Sequence, residues 1–413
     1  MIHFFNPLTL CCLLFKGILI IVRAQITGMP FMRVLIIGAG IAGLSLAGLL
    51  KQRGVTPFVI DRATSLDDVG YMLGLYPTGA NVLRALDCYD QYLECSVAGE
   101  WYQAYTSEGK LLKQFSFSPI VRKYGPYQLI SRYELLNLIH KSCGDLAIQF
   151  NTQIDSLHQN EHEVTVRFSN KTEGTFDLVV GADGLHSQTR SLILTNDQYQ
   201  YFDTGWGGWV WWSKENSATT HTIQEFWGAG RFFGTYPVKG KVGLIAAVNC
   251  PTAEVALQGI SRARYIEKKF STLLQKYPHF FENLPADDAS IFFWPLNDQR
   301  SMTWHSNRVV LLGDSAAAFL PTAGVGASMA LESAAVLNDM LSRTGVEFIP
   351  HTLMLFEKRR RARVERAQND SRRLAKMMFV NSTIGAVCRN FLTQTMPVES
   401  LIKSIIKGFD EPI

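Results

Sequence analysis

The sequence predicts an α/β protein in which a parallel sheet is interrupted by an antiparallel one and followed by helices. Three observations predict it. A β-branched run at residues 33–37 breaks into a glycine-rich turn, followed by a helical pattern at 44–53 and a second strand at 57–60. That order requires a parallel pair with a crossover helix. Strand-like stretches at 100–117 and 205–248, with turns such as Ser107-Glu108-Gly109 and 238–241, predict a separate antiparallel sheet. Apolar strands at 176–180 and 308–312, running into Gly181-Ala182-Asp183-Gly184 and Gly313-Asp314, return the chain to the first sheet, which is therefore discontinuous.

With 413 residues, 47% hydrophobic and 18% charged, the chain can bury two or three packed units. A net charge of +4 is too small to suggest a nucleic-acid binder, so the expected partner is a small molecule. Seven cysteines without a C-x-x-C pair argue against a disulfide framework and a structural zinc site, and a cytoplasmic location is expected. His158 and His162 flank a stretch that reads as a hairpin turn, so no metal site is expected.

Residues 1–31 form an apolar extension. The run at 8–22 is shorter than a typical membrane span and is interrupted by Lys16, no small-x-small cleavage site follows, and Met29 and Met32 stand just before the first strand. Three readings stand: a true start at Met29 or Met32, a membrane anchor, or a signal peptide.

Gly38, Gly40 and Gly43 permit a tight bend, close approach of the backbone to a pyrophosphate, and close packing of helix on strand. Asp61 follows 18 residues past Gly43, where a carboxylate can take hydrogen bonds from an adenosine ribose. Taken alone, this turn leaves NAD, FAD or no cofactor open. Further on, a buried strand delivers Asp314, where a carboxylate can bond a ribityl or ribose hydroxyl. Pro321 stiffens the next loop, and Gly324, Gly326 and Ala327 open a long helix whose amides can face an anion.

These three ordered motifs resemble the group A flavoprotein monooxygenases, the family of para-hydroxybenzoate hydroxylase and the ubiquinone-ring hydroxylases, from Met32 to about Arg343. The resemblance implies a discontinuous Rossmann-type, GR2-like FAD-binding domain (32–98, 127–198 and 299–345), an inserted substrate domain (99–126 and 199–298) and C-terminal helices (346–413). It implies FAD contacts at Gly38, Gly40, Ala42, Gly43, Asp61, Arg62, Asp183, Asp314, Gly324, Gly326 and Ala327. Arg132, opening a helix at 133–141, is implied on the adenosine and pyrophosphate side, and 70–77 is implied as a loop beside the flavin ring. Many relatives carry G-D-A-A-H, whereas this chain has Gly313-Asp314-Ser315-Ala316-Ala317, so that histidine's role is not carried over. The implied reaction uses NAD(P)H and O2 to hydroxylate an aromatic, polycyclic or quinol-type small molecule through a flavin hydroperoxide. No protein nucleophile is required, and no catalytic side chain is assigned.

Aromatic residues at 206, 209, 211, 212, 226, 227, 232, 233, 236 and 292–294 could wall an apolar pocket over the flavin. Strand alternation limits this, because Trp206 and Trp212 face one side and Trp209 and Trp211 the other. Other readings are an FAD-dependent reductase or dehydrogenase of an isoprenoid or quinone, a flavin-binding protein without turnover, and a flavin-dependent halogenase. Against the last, Trp212-Ser213 follows Trp209-Val210-Trp211 where that family has x-I-P. The basic tail beyond Pro350, with apolar residues at 377–380 and 384–392, is either a solvated face or a peripheral contact with anionic lipid.

Overall fold

The computed structural model describes residues 32–66, 70–214, 221–249, 259–397 and 407–410. The extension at 1–31, with its three readings, lies outside the described residues, as does the side chain of Trp294.

The chain opens with β1 (Val34–Ile37), α1 (Ile41–Gln52), β2 (Phe58–Ile60), β3 (Met72–Leu75), α2 (Pro77–Ala85), α3 (Tyr89–Cys95) and β4 (Val97–Ala98). A hairpin follows, β5 (Trp101–Thr106) and β6 (Leu111–Ser116), then α4 (Ser118–Tyr124), β7 (Gln128–Ser131), α5 (Arg132–Ser142) and β8 (Ile148–Gln149). Next come β9 (Ile154–Gln159), β10 (Val164–Phe168), β11 (Glu173–Phe176), β12 (Leu178–Gly181) and α6 (Gln188–Ile193). The strands β13 (Tyr199–Lys214), β14 (Thr222–Trp227), β15 (Arg231–Val238) and β16 (Lys241–Asn249) precede α7 (Arg262–Lys269), α8 (Ser271–Lys276) and β17 (Phe292–Ser301). The chain then forms β18 (His305–Ser306), β19 (Val309–Leu311), β20 (Ala317–Ala318), α9 (Gly326–Leu341), α10 (Ile349–Met378) and α11 (Thr383–Thr395).

The first sheet has the order β18-β19-β12-β1-β2-β8, parallel except for the edge strand β18. Alternation divides β1 between two cores. Val34 and Ile36 pack with α1, α5 and α9, whereas Leu35 and Ile37 pack with a meander of β9, β10 and β11 on the other face. The apolar run at 176–180 predicts one strand. Asp177 divides it instead, because its carboxylate accepts from the Arg33 amide at 2.7 Å and guanidinium at 2.7 Å, so β11 and β12 enter different sheets. The Gln159-Asn160-Glu161 turn joins β9 to β10 as expected, pairing Gln159 with Val164.

The second sheet has eight strands in the order β20-β17-β13-β16-β15-β14-β5-β6. It is antiparallel except between β14 and β5, which run parallel because the chain leaves for the first sheet after β6 before β14 arrives. One face carries Trp209, Trp211, Phe226, Phe233 and Leu244 against α7 and α8. The other carries Tyr102, Val210, Trp212, Ile223, Tyr236, Ile245 and Phe292 toward Tyr71, Met72 and Tyr76. The expected loop at 70–77 contains β3, which pairs with β7 in a small antiparallel sheet lying between the two larger ones.

Helix α10 spans 30 residues and packs on both units, with Phe356 and Val364 in the first core and Leu374 against the second sheet. Its basic residues divide. Arg360 and Arg363 bond the buried Glu332, and Arg372 bonds Asp298. Lys358, Arg359, Arg366, Arg373 and Lys376 face solvent. Among the described residues, no helix is long and apolar enough to cross a membrane, and Cys88, Cys95, Cys143 and Cys388 are free thiols.

Candidate active site

Three turns converge at the carboxyl end of the parallel sheet. Gly38 has a φ of +108°, and a Cβ there would lie 2.3 Å from the Ala182 carbonyl oxygen, so only glycine lets the first turn meet the second. A Cβ on Gly313, at φ +66°, would stand 2.8 Å from Ala42, which ties the third turn to α1. The Gly184 amide donates to Ser315 Oγ at 3.1 Å, and buried Arg190 donates to the Ser315 carbonyl at 3.0 Å, joining the second turn to the third. Gly40 faces open space, and as the N-cap of α1 it has no capping side chain. The first amides of α1 thus lack an intrahelical partner and can take a pyrophosphate.

The acidic residues have different duties. Asp61 Oδ2 accepts from the Ala39 amide at 2.6 Å and Oδ1 from Ala63 at 2.8 Å, which fixes the carboxylate at the edge of the first turn with lone pairs to spare. Asp183 turns back into its own loop, accepting from Ser187 Oγ at 2.6 Å and from the Thr189 amide and hydroxyl at 2.9 and 3.0 Å. It shapes the loop through these bonds. Arg62 is exposed and is placed near the turn only by its neighbour Asp61.

Asp314 lies deep in the molecule but keeps accessible surface, as expected of a side chain at the bottom of a cleft. Burial raises its carboxyl to about 6, opposed by the charge of Arg132. Arg132 also hydrogen-bonds Tyr71, whose phenol burial pushes up, and its amide donates to the Tyr71 carbonyl at 2.9 Å. Asp314 and Gly326 line one cavity with Phe319, Met329 and Ala330. Gly324, at φ +61°, turns the chain into α9, whose N-terminus also lacks a side-chain cap. A dinucleotide with a fused ring system fits these groups: amides for its phosphates, carboxylates for its hydroxyls, and an uncapped helix end for the polar edge of its ring.

Tyr71 feels the charge of Asp314 and shares one apolar cluster with Phe319 and with Tyr102, Tyr236, Ile245 and Phe292 of the second sheet, all partly accessible, which makes the space between them the candidate cleft. Trp209, Trp211, Phe226, Phe233 and Phe293 belong to the opposite face and cannot line it. Trp206 packs on Phe379 with ring centroids 4.6 Å apart, so of the four tryptophans in β13 only Trp212 joins the cleft-side cluster.

The FAD binding domain family model matches residues 32–371, and the chain belongs to that family. It is 29% identical to the 3-amino-4-hydroxybenzoate 2-monooxygenase of Streptomyces cremeus, over 83% of this chain and 87% of the relative. It is 28% identical to the aurachin C monooxygenase/isomerase of Stigmatella aurantiaca, over 81% and 86%. The structure of Klebsiella pneumoniae HpxO complexed with FAD and uric acid superposes with a TM-score of 0.80 at 22% identity, covering 92% of this chain and 96% of that one. Fold and family together define an FAD-dependent monooxygenase of the aromatic hydroxylase group.

Sequence reasoning missed Ser315, which joins two turns, and Glu225, which lies buried on the cleft side of β14 and accepts from Tyr102, Tyr236 and Trp227. A signal existed for the second: Ile223 and Trp227, the residues two either side of Glu225, are apolar, so alternation sends the carboxylate inward.

Proposed function

We propose that the protein uses NAD(P)H and O2 to hydroxylate a small aromatic, polycyclic or quinol-type molecule in the cleft between Tyr71 and Tyr236. FAD is held by Gly38, Gly40, Ala42, Gly43 and Asp61 at the dinucleotide end, with Arg62 exposed beside Asp61 and Asp183 bracing its own loop. Arg132, Asp314, Gly324, Gly326 and Ala327 hold its ribityl and ring portions. The observation that carries this reading is Asp314, a deep carboxylate still open to a cleft whose far wall is aromatic.

FAD, when bound, would supply the redox chemistry of the overall reaction, in which NAD(P)H and O2 yield one inserted oxygen atom and one water. The chain's own residues bind and orient. Arg132 sets the charge around Asp314, the uncapped N-terminus of α9 favours negative charge at the ring edge, and the aromatic walls exclude water. The relatives' names, one for an aminohydroxybenzoate and one for aurachin C, support an aromatic substrate.

The test is to follow NAD(P)H consumption, O2 uptake and product mass together across phenols, quinol precursors and polycyclic aromatics. A product heavier by one oxygen atom is expected. Oxidation without oxygen insertion would establish a reductase or dehydrogenase instead.

Peripheral contact with an anionic lipid surface is a second reading. Ile384, Val387, Phe391 and Leu392 leave an exposed apolar stripe on α11, and the solvent-facing cations of α10 supply complementary charge.

A further inference from the structure

Glu225 is 6% exposed and lies on the face of the second sheet that looks into the cleft. Its Oε1 accepts from Tyr236 Oη at 2.8 Å, and its Oε2 accepts from Tyr102 Oη and from Trp227 Nε1 at 3.0 Å. Among the described residues no lysine, arginine or histidine pairs with it. A buried carboxylate held only by neutral donors is a costly arrangement, and an apolar residue at 225 would spare that cost.

The two tyrosines give it a use. Both rings lie deep in the protein yet keep accessible surface, and both belong to the apolar cluster that also holds Tyr71 and Phe292. Each commits its only hydroxyl proton to Glu225, leaving phenol oxygens that can only accept hydrogen bonds from whatever enters. With a negative charge immediately behind them, these oxygens suit a neutral donor and oppose an anion.

We propose that Glu225, acting through Tyr102 and Tyr236, makes this end of the cleft a hydrogen-bond acceptor that selects aromatic substrates presenting a neutral hydroxyl or ring N–H and rejects those presenting a carboxylate there. Glu225 is a positioning residue, and the tyrosines make the contact. The inference rests on the cleft being the aromatic site proposed above. Burial, opposed by the hydrogen bonds of Tyr102, Tyr236 and Trp227, raises the Glu225 carboxyl above its ordinary value. Burial, and after it neighbouring charge that includes Glu225, pushes up Tyr76 and Tyr127 on the opposing elements as well. Acidification should therefore weaken the selection as Glu225 takes up a proton.

The test titrates the FAD-loaded full chain with 2-naphthol and with 2-naphthoate, reading the change in flavin absorbance rather than turnover. At neutral pH the naphthol should bind at least about tenfold more tightly. The preference should shrink to about threefold or less in Glu225→Gln and in Tyr236→Phe. The second variant carries the test if the first does not retain FAD. Equal binding of the two probes by the wild type, or an undiminished preference in the variants, would overturn the role of Glu225. If neither probe perturbed the flavin, the aromatic-cleft reading would fall with it. Probe binding with the expected preference but no oxygenated product would remove the monooxygenase reaction and leave the acceptor end standing.

Discussion

Arg360 of α10 donates to Glu332 of α9 at 3.0 Å, with 1% and 0% of the two side chains exposed, and Arg363 adds bonds to both carboxylate oxygens at 2.8 and 2.9 Å. This pairing binds the long helix α10 to the helix whose first turn carries Gly326 and Ala327. Breaking one partner of a buried ion cluster leaves uncompensated charge. Glu332→Gln is expected to destabilise the protein by about 3–5 kcal/mol in chemical denaturation.

The same cluster has a pH signature. Burial raises the Glu332 carboxyl, but the Arg363 bonds and the charges of Arg360 and Arg363 outweigh it and hold the group below 4.5. Its contribution is therefore present above the ordinary carboxylate range and is lost as pH falls through the lowered value. Wild type should lose stability on acidification more steeply than Glu332→Gln, as read by Tm against pH.

Asp314 should show the opposite sign. Without cofactor its carboxyl titrates near 6 against an ordinary 3.8, so its charge is a cost to folding above about pH 6 and is relieved as pH falls. Asp314→Asn should raise the Tm of the FAD-free protein at alkaline pH while weakening FAD binding about tenfold or more, measured by fluorescence titration. Unchanged FAD affinity would remove Asp314 from the cofactor site.

Gly38→Ala places a methyl group 2.3 Å from the Ala182 carbonyl at a positive φ that only glycine adopts freely. The first two turns must separate. The expected outcome is purified protein without flavin, with a thermal transition several degrees below that of wild-type protein stripped of its cofactor.

If the α11 stripe touches lipid, Ile384→Ser with Phe391→Ser should abolish flotation with anionic vesicles and leave FAD binding unchanged. Equal flotation of the two proteins would sink the lipid reading.

The first turn was legible in the sequence because its chemistry is local. Three glycines at fixed spacing between a β-branched strand and a helix have few other uses, and Gly38 meets the steric limit its motif demands. The parallel order of β1, α1 and β2 followed from strand, helix and strand in succession, and the split of Trp209 and Trp211 from Trp212 followed from the two-residue period of β13. Tertiary structure decided what depends on partners distant in the chain. The second turn meets the third because Arg190 donates to the carbonyl of Ser315, 125 residues further on. Which face of the second sheet meets the cleft was settled only when α7 and α8 covered the other. Glu225 acquired its surroundings from Tyr102, 123 residues earlier, through the parallel pairing of β14 with β5. A strand's own sequence specifies which residues share a face; the neighbour that docks on that face determines whether a charge there meets water, a cation or a ring of phenols.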